Sequence, residues 1–340
     1  MRARELGIEV GTGVPGPGNA ITDVEGVRVG HTTLIQGDGS LEVGRGPVRT
    51  GVTVILPHDR DVWKESLFAG CHRLNGNGEL TGLEWVRESG MLTSAVALTS
   101  THSVGVVHDA LIAHQVAAGG GEQIFWSLPV VGETWDGLLN DINGFHVRPE
   151  HVSQALDGAS GGEVPVPRLP RRPVPEGAGS IIVVVATDAP LLPNQCDRLA
   201  QRAGLGIART GGLGEHTSGD LFLAFATGNR GLSSGDYEDE EALTQPLRML
   251  SNSYIGPLFE AVVEATEEAI LNAMLQSPTM VGRDGVTAHG LDGTRLVEVM
   301  ERYGRGPRRT EWAPRAPIAA EAPVSPERVS RRRGGRGWRR

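Results

Sequence analysis

Apolar residues along this chain recur at two spacings, and the change between them divides the chain into elements. Residues 221–226, with Phe222 and Phe225, form a continuous apolar run, the composition of a strand buried on both faces. Residues 181–185, all β-branched, predict a second buried strand, and residues 51–56 and 91–99 two more. Helical spacing appears where Val107, Leu111, Ile112 and Val116 make one face over residues 104–118, with Thr101 or Ser103 placed to cap it. Leu80, Leu83, Trp85 and Val86 predict a short amphipathic helix within 78–90, and Cys196, Leu199 and Ala203 one over 194–203. The strongest pattern covers residues 258–275. Phe259, Val262, Val263, Thr266, Ala269, Ile270, Ala273 and Met274 form its stripe, and Glu260, Glu264, Glu267 and Glu268 lie off it. Residues 294–303 predict a closing helix.

Composition narrows this picture. A chain of 340 residues can hold one large α/β domain. With 48 glycines and only 4% aromatic residues, it has many tight turns and a core built of aliphatic side chains. No apolar run reaches 18 residues and the opening MRARELGIEV has no apolar signal core, so a cytoplasmic protein without membrane contact is expected. Cys71 and Cys196 give neither a disulfide framework nor a metal-ligand spacing, and read as buried thiols. Residues 306–340 hold ten Arg and three Glu, a net +7 that leaves residues 1–305 at −16 against −9 for the whole chain. The Pro-rich, aperiodic composition of that basic tail predicts a disordered extension and not a nucleic-acid-binding element. The acidic run 235–242 reads as a surface connection.

Candidate chemistry gathers around residues 211–229, GGLGEHTSGDLFLAFATGN, where Ser218 joins a glycine-rich loop to the apolar strand. A serine there is either an ordinary turn residue or a nucleophile held at the start of a rigid strand. If the chain were cut between Thr217 and Ser218, the new α-amine, titrating near ~8, would serve as its own base. Glu133, Trp135 and Asp136 at a strand end offer carboxylates and a π-face to a cationic group, or form a solvated loop. The loop 11–18 contains prolines and lacks the lysine and helix of a phosphate cradle. His102 and Ser103 are adjacent, a spacing that does not place one side chain against the other, so His102 is expected to be structural or pocket-lining.

The strand motif SGD…AFATGN resembles the self-processing site of the L-aminopeptidase/D-esterase and β-peptidyl aminopeptidase family. The resemblance returns in six further blocks, at residues 19–31, 74–90, 98–110, 133–147, 186–206 and 257–274. It implies an αββα four-layer sandwich of the N-terminal-nucleophile type over residues 1–305, cut between Thr217 and Ser218 into chains 1–217 and 218–305. It also implies Ser218 as nucleophile, Thr266 and Glu268 orienting it and shuttling its proton, Glu133 holding the substrate's free amine, and Trp135 lining the pocket. The substrate would be a small peptide or an amino-acid amide or ester, with no metal or other cofactor, and the protein a homo-oligomer. Two departures stand out. Residues 159–180, rich in Pro, Arg and Gly, replace the family's glycine-rich segment and the strand ending in an oxyanion-binding asparagine, and Thr217 stands where relatives have a small residue or Asn. Two alternatives stay open: acyl transfer, as in ornithine acetyltransferase relatives, and an uncleaved homologue acting as an assembly or binding protein.

Overall fold

In a computed structural model, residues 1–118, 125–162, 179–232 and 244–307 are described. Most of the Pro/Arg/Gly segment, the acidic run 235–242 and residues 308–340 of the tail lie outside them. In chain order the elements are β1 (Arg28–Gln36), β2 (Val48–Leu56), β3 (Leu67–Gly76), α1 (Leu83–Ser89), β4 (Met91–Leu92), β5 (Val96–Ser100), α2 (Val104–Ala117), β6 (Val130–Thr134), α3 (Pro149–Asp157), β7 (Ile181–Thr187), α4 (Pro193–Arg209), β8 (Gly219–Ala226), α5 (Gly256–Gln276), β9 (Met280–Val281), β10 (Thr287–Ala288) and α6 (Gly293–Arg302).

Two four-stranded sheets carry the architecture, ordered β1-β2-β5-β6 and β4-β3-β8-β7. Each sheet ends in a parallel pair, β5/β6 in the first and β7/β8 in the second, and is otherwise antiparallel. The period-2 alternation of β8 shows how the layers form. Leu221, Leu223 and Phe225 point between the sheets, where they meet Val29, Ile55, Leu67 and Val96. Phe222, Ala224 and Ala226 point outward against Leu199, Ala203 and Val262 of α4 and α5. On the far side α2 and α3 cover Val52, Val54 and Ala97 of the first sheet. Helix, sheet, sheet, helix is the expected αββα sandwich.

Three local differences from the sequence reading have physical causes. The single strand expected over 91–99 is two, because the chain changes sheet: Met91 and Leu92 pair with β3, while β5 begins at Val96 beside β2. The helix expected over 194–203 runs to Arg209 through two glycines. Gly206 is tolerated because α5 crosses there, and a Cβ at that position would lie 2.6 Å from Thr266 Cβ. The third difference is on α5, where Glu264 and Glu268 are buried. The N-terminal residues lie across that face. Glu264 accepts from the Thr12 and Gly13 N–H groups, both at 2.9 Å. Glu268 accepts from Arg4 Nε and Nη2 at 2.8–3.0 Å and from Asn19 Nδ2 at 2.6 Å. Asn272 Oδ1 accepts from the Ala3 N–H at 2.8 Å. Spaced i, i+4, i+8, these three residues form a polar seam for a strap made of residues 1–19.

Candidate active site

The site is built where the end of β3 closes on the turn that feeds β8. The Ser218 N–H donates to the Glu215 carbonyl at 2.8 Å, which bends residues 215–218 into a turn. The pairing of β3 with β8 slips between Arg73 and Asn75, and this irregularity carries the segment Leu74–Gly78 over the turn. Asn75 Nδ2 donates to the Gly214 carbonyl at 3.1 Å and to that of Glu215. Asn77 Nδ2 donates to the Thr217 carbonyl at 2.7 Å, and the Asn77 N–H to the Ser218 carbonyl at 3.2 Å. This approach requires a glycine after Ser218, since a Cβ at position 219 would sit 2.3 Å from the Asn77 carbonyl oxygen.

Ser218 is 4% exposed, and its Oγ donates to Asp220 Oδ1 at 2.6 Å. Asp220 is also buried, and its second oxygen has no hydrogen-bond partner. Sequence reasoning passed over Asp220, although residues two apart at the start of a strand share a face. The N–H of Gly219 donates to Ser180 Oγ at 3.0 Å, at the entrance to β7.

Glu133 reaches the same place from β6. Its carboxylate is buried and accepts from Thr101 Oγ1. A Cβ at Gly78 would lie 3.1 Å from Glu133 Oε1 and 3.3 Å from Gly219 Cα, so only that glycine separates the carboxylate from the nucleophile's neighbour. Trp135 stands outside, 47% exposed. Next to it, Asp136 Oδ1 accepts from Ser100 Oγ and Asn140 Nδ2, both at 3.1 Å, and burial pushes its carboxyl above the usual carboxylate range. His102 stacks on Phe145 at 6.2 Å between ring centres, in keeping with a structural role.

The structure therefore brings together Ser218, Thr217 and Glu133, and adds Asp220 and Asn77. Thr266 lies against Gly206 of α4, and Glu268 is bound by Arg4 and Asn19. Among the described residues no hydrogen bond links either to Ser218. The segment expected to lack the oxyanion asparagine falls largely outside the described residues, and no group of three or more His, Cys, Asp or Glu that could hold a metal occurs among them. Cys71 and Cys196 are free and buried, and burial pushes their thiols up to about 11 and about 12. No helix of the described residues is long and apolar enough to cross a membrane.

Comparison with known proteins gives this geometry a context. The model of peptidase family S58 matches residues 19–178 and 161–288, in two pieces that overlap on the Pro/Arg/Gly segment. A β-peptidyl aminopeptidase of Sphingosinicella microcystinivorans is 37% identical over 378 aligned positions, which take in 89% of this chain and 93% of that one. Because the aligned positions outnumber the residues of this chain, several tens of them fall in gaps here. Among solved structures, a Burkholderia β-aminopeptidase superposes with a TM-score of 0.80 at 42% identity, covering 92% of this chain and all of that one. The L-aminopeptidase D-Ala-esterase/amidase of Ochrobactrum anthropi, described as a variant of the Ntn-hydrolase fold, gives 0.78 at 34%, covering 89% and 99%. These matches run through both sheets and through the Ser218 turn, and on them the chain belongs to peptidase family S58 and is an aminopeptidase of the Ntn-hydrolase-like αββα fold.

Proposed function

We propose that this protein is a self-processing serine aminopeptidase in which Ser218 becomes the N-terminal nucleophile of a chain released by cleavage after Thr217. The observation that carries the reading is the pairing of Ser218 Oγ with Asp220 at the mouth of β8, with the Glu133 carboxylate across Gly78. A peptide, amide or ester with a free amino group binds with that ammonium on Glu133. The charge-assisted contact fixes the distance from the amine to the reacting carbonyl. Ser218 Oγ attacks, the amine or alcohol leaves, and water releases the acyl group. In the mature enzyme the α-amine of Ser218 takes up the Oγ proton. Exposed Trp135 forms the outer wall of the amine pocket.

For Thr266 and Glu268 the support is the family resemblance alone. The chains 1–217 and 218–305 are held together by the strap and the β3/β8 pairing, both of which cross the cut. Assembly into homo-oligomers and a cytoplasmic setting belong to this same proposal.

Intact mass and N-terminal sequencing of purified protein beside Ser218→Ala test the reading. The expected result is two fragments, one beginning Ser-Gly-Asp-Leu, with turnover of aminoacyl nitroanilides, and a single inactive chain for the variant. An uncut wild-type chain would refute it.

A further inference from the structure

Intact and cut chains pose different chemical problems. Before cleavage, the Ser218 nitrogen is an amide and cannot serve as a base, so another group must take the Oγ proton. The Thr217 carbonyl must also be polarised for attack. Both requirements are met by side chains at the turn. Asp220 Oδ1 accepts the Ser218 Oγ–H at 2.6 Å, and Asn77 Nδ2 donates to the Thr217 carbonyl oxygen at 2.7 Å. The Asn77 N–H, bonded to the Ser218 carbonyl, fixes the asparagine backbone relative to the bond that breaks. Asn75 secures the Gly214 and Glu215 carbonyls at the entry to the same turn. Thus Thr217–Ser218 is held at both its carbonyls by one exposed residue of a neighbouring strand end.

We infer that Asn77 is the oxyanion donor, and Asp220 the proton acceptor, for cleavage of the Thr217–Ser218 bond. The inference rests on the self-processing reading above. Ser218 Oγ adds to the Thr217 carbonyl carbon while its proton passes to Asp220. The charge that develops on the Thr217 oxygen is met by the Asn77 amide. The C–N bond then breaks, Asp220 returns the proton to the Ser218 nitrogen, and an ester joins Thr217 to Ser218 Oγ. Water hydrolyses that ester to free the Thr217 carboxylate and restore the hydroxyl.

The ester is an acyl-enzyme on the same oxygen that carries the substrate's acyl group in turnover. The donor that serves the first therefore lies where the second needs one. Asn77 accordingly supplies, from the end of β3, an oxyanion contact in a chain whose Pro/Arg/Gly segment carries no counterpart of the family's asparagine strand. Gly219 belongs to the same device, because any side chain there would push Asn77 off the carbonyl.

The test is the rate at which full-length protein made by cell-free synthesis becomes two fragments, followed by intact mass. Asn77→Ala and the shape-matched Asn77→Asp, which has no N–H to give, are each expected to slow the cut about 10²–10³-fold. Asp220→Asn, which keeps an acceptor but not a base, is expected to slow it about 10²–10⁴-fold. Matched thermal melts check that each variant folds, and two variants at position 77 guard against a local defect in one. Material matured by long incubation should show kcat reduced by a comparable factor, with KM little changed. Wild-type rates in both Asn77 variants would overturn the assignment of Asn77, and a wild-type rate in Asp220→Asn that of Asp220. A wild-type chain that never cuts would instead remove the self-processing reading beneath them.

Discussion

Among the described residues, buried acids gather on α5 beneath the strap and at the Ser218 turn, and the two groups are finished to different degrees. On α5, the Glu268 carboxylate has Arg4 on both oxygens and Asn19 on Oε1, and Glu264 has two backbone N–H groups. At the Ser218 turn, Asp220 has one hydroxyl and an empty second oxygen, and Glu133 accepts from a single hydroxyl. A buried carboxylate short of partners is costly unless something else binds it. The strap cluster is therefore complete as structure, whereas the turn cluster has unfilled capacity, which the proposed function would fill with a reacting proton or a substrate ammonium. Incomplete satisfaction, more than the presence of acids, separates these two groups, although it is not unique to them: buried Asp141, which pairs with His146 through Oδ2, also has an Oδ1 without a partner.

The largest expected effect falls on Glu133. Glu133→Gln keeps the shape and the Thr101 contact but removes the charge that, in the proposed function, meets the substrate amine. Loss of a buried, hydrogen-bonded charge pair costs about 2–5 kcal/mol, so kcat/KM for free-amine substrates should fall by roughly 10²–10³ while the Thr217–Ser218 cut proceeds at the wild-type rate. Steady-state kinetics beside the mass time course checks this. Equal loss in both assays would mean that Glu133 supports the turn itself, and the two clusters would no longer differ as argued.

Next in size is the strap. Arg4→Met leaves Glu268 buried with Asn19 as its remaining partner. Breaking a buried pair from one side costs about 3–5 kcal/mol, and the partial exposure of Arg4 reduces the expectation to roughly 1–3 kcal/mol. Chemical denaturation of the mature protein measures it. With the proposed cut after Thr217, Arg4 and Glu268 fall in different fragments, and the loss should then appear partly as dissociation at low concentration. If instead kcat falls and stability does not, Glu268 works in the chemistry, as the family resemblance implies, and the strap cluster is functional too. A smaller loss, about 1–2 kcal/mol, is expected for Glu264→Ala, which leaves the Thr12 and Gly13 N–H groups without their acceptor.

The same contrast explains what was legible in the sequence. Individual strands and helices could be read from local composition, such as the apolar strand after SGD, whereas the αββα layering and the roles of Ser218 and Glu133 came from the family resemblance, composition alone leaving each residue open between a turn or loop and a site. Asp220 was legible in principle from the two-residue repeat of a strand. Asn77 was not, because its reach to Thr217 depends on the slip between β3 and β8, and the sequence reading placed no strand over Leu67–Gly76, whose mixed residues LFAGCHRLNG show no clean alternation. The burial of Glu264 and Glu268 was out of reach for another reason. On helical spacing they lie off the apolar stripe, and the residues that cover them are some 250 to 264 positions away in sequence. Their partners are set by tertiary structure alone.

Asp136 falls between the two clusters and gives the finest test. Its Oδ1 accepts from both Ser100 and Asn140, yet burial still raises its carboxyl above the ordinary value, so desolvation outweighs the hydrogen bonds. An acid whose folded pKa is raised holds its proton longer in the native state than in the unfolded chain. Folding is then unaffected below the unfolded pKa of about 3.9, and loses stability as pH rises through that value to the folded one. Above both, the full cost remains. Asp136→Asn keeps an acceptor for Ser100 and Asn140 without the charge, so it should gain stability relative to wild type at pH 7, and the gain should shrink toward pH 3. Thermal melts at the two pH values check the sign. A wild type that is the more stable at pH 7 would show that the ionised carboxylate is fully supported where it lies, which would place Asp136 with the strap acids.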